Sequence, residues 1–172
     1  MNKLMLVMLL ATGNVYAIVN VIDSPDGVYV GADFPCSSKS KEVISATGGA
    51  KALTCSVVRE NGCAFLLTKA NLDQGQYKLH GMRFIEAIHS EYAKMLGPHE
   101  SISSIKSQYG KIGPSLNYEL LVNVGGHSMH VNGIWIVYGD QLLRITTSCT
   151  LPVHKFMKGE RIRFLDSVTV TK

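Results

Sequence analysis

Several of the features that usually announce a chemistry are missing from this chain of 172 residues. No G-x-S-x-G marks a serine hydrolase elbow, no H-E-x-x-H marks a helical zinc site, and no G-x-x-x-x-G-K-[ST] marks a P-loop. Gly110–Ser115 (GKIGPS) looks like a phosphate loop but breaks that spacing and leads into a strand, so it is set aside. No apolar run reaches the roughly 20 residues that span a bilayer. Charged residues are only 17% of the chain, and 17 basic against 13 acidic residues is too small an excess to suggest nucleic acid. Low-complexity tracts and internal repeats are also absent. With 46% hydrophobic residues the chain is not a disordered tail. Its length suits one domain able to bury a core without a metal.

What is there begins at the N-terminus. Lys3 is followed by an unbroken apolar run, Leu4–Ala11. Thr12, Gly13 and Asn14 break it, and Val15-Tyr16-Ala17 has the small residues a signal peptidase requires. Residues 1–17 therefore read as a signal peptide, and 18–172 as a single mature domain with a formal charge of +3 once Lys3 is removed. Ile18, not Cys, follows the cut, so no lipid anchor is indicated. The short signal looks bacterial, which places the chain in the periplasm or outside the cell.

The hydrophobic period divides the rest. Val28–Phe34, Ala52–Arg59 and Cys63–Thr68 alternate as strands, with Asn61-Gly62 as a two-residue hairpin turn between the last two. Ser37–Ala50, rich in Ser, Lys and Gly, reads as a surface loop. From Gln76 to Leu96 the period changes to three and four, with Leu79, Met82, Ile85, Ile88, Tyr92 and Leu96 on one helical face, and Gly97-Pro98 as the stop. Strands resume at Ser101–Ser107, Leu116–Val124, Met129–Tyr138 and Leu142–Cys149, with Gly125-Gly126 and Gly139-Asp140 as turns. Pro152 is expected to open a short helix carrying Val153, Phe156, Met157, Phe164 and Leu165. A strand, Ser167–Thr171, ends the chain. Tight connections make the sheet mainly antiparallel, and two helices must cover it, which is an α+β architecture.

Four cysteines, Cys36, Cys55, Cys63 and Cys149, fit an oxidising compartment and two disulfides. Their spacing is not that of a zinc knuckle. A two-residue turn at Asn61-Gly62 sets Cys55 opposite Thr68, roughly 16–17 Å along the sheet from the position facing Cys63. A disulfide needs Cα atoms about 4.4–6.8 Å apart, which argues against Cys55–Cys63. Strand directions favour Cys36–Cys55 and Cys63–Cys149. The competing reading is four buried thiols.

Phe34-Pro35 closing a strand, the CAFLL strand at Cys63–Leu67, the amphipathic helix, the YGDQLL turn at Tyr138–Leu143 and the FLDSVTV segment at Phe164–Val170 together resemble the PsbP-like superfamily, which includes PsbP and DcrB-type bacterial periplasmic proteins. The resemblance runs in order over residues 28–171. It implies a curved, mainly antiparallel sheet flanked by helices on both sides. It also implies a binding or accessory role, with no catalytic or cofactor-binding residue to carry over. The four cysteines and the lack of a lipid-anchored start depart from the simple bacterial form.

Three constellations remain. His127 and His130 are close in sequence, but i and i+3 point to opposite faces of a strand, so no metal site is expected from them. Glu86 and His89, with Ser90 nearby, suit an acid–base pair on the long helix, or an ordinary exposed i,i+3 pair. His154, Lys155, Lys158, Arg161 and Arg163 form a basic C-terminal cluster, read as the wet face of the last helix or as a patch for an acidic partner. The expectation is an exported, non-enzymatic binding or accessory protein, of which inhibitors and immunity proteins are a specialised form, with no cofactor and an unknown protein partner. The alternative is a small periplasmic hydrolase or metal-dependent enzyme using the histidines.

Overall fold

A computed structural model describes residues 18–22, 27–45, 48–57, 62–72, 81–97 and 99–172. The expected signal peptide, Asn61 of the hairpin turn, the first residues of the expected helix and Pro98 lie outside them. The elements are β1 (Ile18–Ile22), β2 (Tyr29–Phe34), β3 (Lys39–Ser45), β4 (Gly48–Val57), β5 (Cys63–Asn71), α1 (Met82–Met95), β6 (Glu100–Tyr109), β7 (Pro114–Val124), β8 (His127–Tyr138), β9 (Gln141–Thr150), α2 (Lys155–Asp166) and β10 (Thr169–Thr171). A seven-stranded sheet runs β3-β4-β5-β9-β8-β7-β6, and a three-stranded sheet runs β1-β2-β10. Every pairing is antiparallel. This is the α+β architecture expected from the alternation and the tight turns.

Alternation assigns the faces of the large sheet. On one face, Phe65, Leu67, Ile136, Leu143, Ile145 and Cys149 pack with Met157 and Phe164 of α2 and with Val30, Ala32 and Phe34 of the small sheet. The rings of Phe34 and Phe65 flank Phe164, with centroids 4.8 and 5.3 Å from it. Ser167 fixes the far end of α2, its hydroxyl accepting from the Asp33 N–H at 2.8 Å. On the other face, Phe84 and Ile85 of α1 pack on Leu116, Val137 and Leu142. The helices therefore cover opposite faces.

The turns follow glycine chemistry. Gly125 and Gly126, at φ 59° and 80°, join β7 to β8, and Gly139, at φ 59°, joins β8 to β9. Positive φ is a conformation that side chains with a Cβ avoid.

Several expectations are corrected. Ser37–Ala50 is not a loop: it holds β3 and the start of β4. An edge strand needs no buried row, so a Ser-, Lys- and Glu-rich sequence can hide the strand period. β1 lies before the first expected strand. The β4–β5 register sets Val57 opposite Cys63, so Cys55 faces Phe65 rather than Thr68. α1 starts at Met82, because Gly81 has a φ of 59° and stands outside the helix. Pro152 does not open α2: its peptide bond with Leu151 is cis. His154 caps α2 instead, with Nδ1 accepting from the Phe156 N–H at 3.3 Å.

The register places Cys63 opposite Cys149, and the two are bonded. Cys36, two residues past β2, is bonded to Cys55 of β4, with Cα atoms 5.8 Å apart. The second bond ties the small sheet to the large one. Lys69 adds a polar tie: its buried ammonium donates to the Val28 carbonyl at 2.8 Å.

Candidate functional site

Beneath α2 the apolar face of the sheet carries a polar chain. The buried stripe of this helix is Met157, Arg161 and Phe164, at i, i+4 and i+7. Arg161 belongs to the basic cluster read as a wet face, but it is only 8% exposed, and that reading is corrected. Its Nη2 donates to Nδ1 of His130 at 3.1 Å. A guanidinium can only donate, so Nδ1 accepts and Nε2 carries the proton. That Nε2–H donates to Glu119 Oε1. Burial pushes the Arg161 guanidinium down from its ordinary value, and the charge of Glu119 opposes that shift. Arg163 is drawn to Glu160 at 2.7 Å, which leaves Lys155 and Lys158 as the outward cations of the cluster.

Both ring nitrogens of His130 are thus committed to a carboxylate–imidazole–guanidinium chain that fastens α2 to the sheet. His127 is exposed at the start of β8, on the opposite face by alternation. Among the described residues no group of three His, Cys, Asp or Glu side chains could hold a metal. We expect His130→Ala to cost about 2 kcal/mol, since it strands a buried guanidinium donor. Urea unfolding measures this. A loss below about 0.5 kcal/mol, the scale of a surface change, would show that the chain does not hold α2.

The α1 face carries a second cluster. Tyr118 of β7 reaches across Gly133 of β8 to Thr146 of β9, hydroxyl to hydroxyl at 2.9 Å. Arg144 donates from Nε to both hydroxyls at 3.2 Å and stacks on Trp135, 5.1 Å from its ring centroid. Gly133 makes this possible, because a Cβ there would collide with the Tyr118 ring. Sequence reasoning missed this cluster. Its one legible trace was a glycine inside a strong strand pattern, which marks a close approach.

His89 of α1 meets Ser107 of β6, Nδ1 to Oγ at 2.8 Å, while Glu86 is exposed. The structure therefore pairs His89 with Ser107 rather than with Glu86. A hydrolase built on this pair would need an orienting carboxylate and oxyanion donors. Among the described residues the pair makes no such contacts. Ser90 Oγ donates to the Ala87 carbonyl at 3.0 Å, an ordinary intrahelical bond.

No family model matches the chain, and no curated protein matches it. Solved structures do. The solution structure of the cyanobacterial PsbP, CyanoP, from Synechocystis is similar with a TM-score of 0.53 and 12% identity, covering 95% of this chain and 99% of that one. The crystal structure of LpqN, involved in cell envelope biogenesis of Mycobacterium tuberculosis, has a TM-score of 0.51 and 12% identity, covering 91% and 92%. The fold is PsbP-like. Among the described residues no helix is long and apolar enough to cross a membrane.

Proposed function

We propose that the chain is an exported, non-enzymatic binding or accessory protein that works by contact with another protein, as inhibitors and immunity proteins do. One observation carries this reading. On α2, Phe156 and Ile162 are 60% and 63% exposed beside the exposed Lys155 and Lys158. Two large apolar side chains held in water on a helix bolted down by a buried core suit a partner surface. Beneath the same helix Arg161, His130 and Glu119 pair with one another. The signal-like N-terminus and the two disulfides support export.

Two experiments follow. N-terminal sequencing of the chain from its host is expected to begin at Ile18, and Met1 or Asn2 would contradict export by this signal. Affinity capture from periplasmic extract is expected to recover a partner with the wild-type chain and to lose it with a Phe156→Asp, Ile162→Asp variant. Equal recovery by both would remove α2 from the interface.

A further inference from the structure

Arg144 is held in a way that stability alone does not require. Its guanidinium carbon lies over the Trp135 ring, 5.1 Å from the centroid, and its Nε is shared between two hydroxyls. Among the described residues its two Nη groups take no partner. The Trp135 indole N–H is also buried without an acceptor among the described residues. The spot is thus rich in donors and poor in acceptors. A guanidinium with its Nε already held presents its two Nη groups as a two-pronged edge that matches a carboxylate, and part of its freedom is lost before binding.

The register shows what lies around that edge. Arg144 stands between Trp135 on β8 and Thr68 on β5. The next row on the same face is Leu66, Thr146 and Gly133, and the row after it is Ala64, Ser148 and Val131. Leu66, Ser148 and Val131 are half-buried and Ala64 is exposed. Helix α1 packs mainly on β6, β7 and β8 and reaches β9 at Leu142, at the other end of that strand from Ser148. By register, these rows hold no acidic side chain that would neutralise Arg144.

We propose that this part of the sheet binds an aliphatic carboxylate, whose carboxylate forks onto the Nη groups of Arg144 while its hydrocarbon lies along Leu66, Val131 and Ala64. The site is on the face opposite α2 and does not depend on the partner-protein reading.

The reporter is built in, because Trp135 is the only tryptophan in the chain. Octanoate titrated into the full chain is expected to change the tryptophan emission saturably. Acetate, which lacks the tail, should bind at least ten times more weakly, and octyltrimethylammonium, which lacks the anion, should give no saturable change. Arg144→Gln is expected to weaken octanoate at least tenfold. Because Arg144 also supports Tyr118, a second variant at an exposed position, Ala64→Asp, tests the floor separately and should weaken octanoate several-fold by setting a charge against its hydrocarbon. The proposal is overturned if octanoate gives no saturable change, if the cationic amphiphile responds equally, or if Ala64→Asp binds octanoate as well as the wild type.

Discussion

Gly133→Ala is expected to destabilise the chain by roughly 3 kcal/mol, the upper end of the range for overpacking a core. The position is buried in the middle of the large sheet, and an added methyl would meet the Tyr118 ring. Tyr118 cannot step aside cheaply. Its ring is buried, and its hydroxyl is the point where Thr146 and Arg144 are tied together. Moving it unmakes those bonds in a place where water does not replace them. A double-mutant cycle isolates this cause. Tyr118→Ala alone leaves a cavity, although Arg144 Nε keeps its bond to Thr146, and costs several kcal/mol, about 3–5. Combined with Gly133→Ala, the total is expected to fall short of the sum by about 2 kcal/mol, since the clash has gone. Strict additivity in urea unfolding would show that Gly133 is required for some other reason.

The two disulfides are expected to differ in what they contribute. The Cys63–Cys149 bond closes a loop with a sequence separation of 86, and Cys36–Cys55 one of 19. On the chain-entropy account the longer bond stabilises by about 4–5 kcal/mol and the shorter by about 3. Replacing both cysteines of one bond by alanine, and measuring unfolding without reductant, compares them directly. Loss of the long bond should be the more damaging. The short bond has a separate signature, because it ties the end of β2 covalently to β4. Its removal should raise amide exchange in the small sheet while the β8–β9 pairing stays protected. The reverse order of stabilities, or uniform exchange after loss of Cys36–Cys55, would contradict this assignment of roles.

β7 was legible because it has one buried row, Leu116, Tyr118 and Leu120, and a glycine turn, Gly125-Gly126, at its end. β3 was not, since an edge strand can open on a polar run such as Lys39–Glu42 and needs no alternation. The β4–β5 register was misread because Asn61-Gly62 is a strong local signal, and local signals do not fix how many residues a connection uses. The site was harder still. Arg161 looks like one more surface cation until the helix phase puts it between Met157 and Phe164, both on the core stripe. Glu119 and His130 sit on adjacent strands, and only the register brings them together. Tyr118, Arg144 and Thr146 come from β7 and β9, with a third strand between them. No spacing in one dimension encodes that meeting, apart from the glycine that permits it.

Native mass spectrometry of the chain isolated from its host tests most directly whether it works by holding another protein. The expected result is a species heavier than the chain alone, containing a second polypeptide at fixed stoichiometry, which the Phe156→Asp, Ile162→Asp variant no longer forms. The chain found alone at its own mass, with wild type and variant indistinguishable, would contradict it.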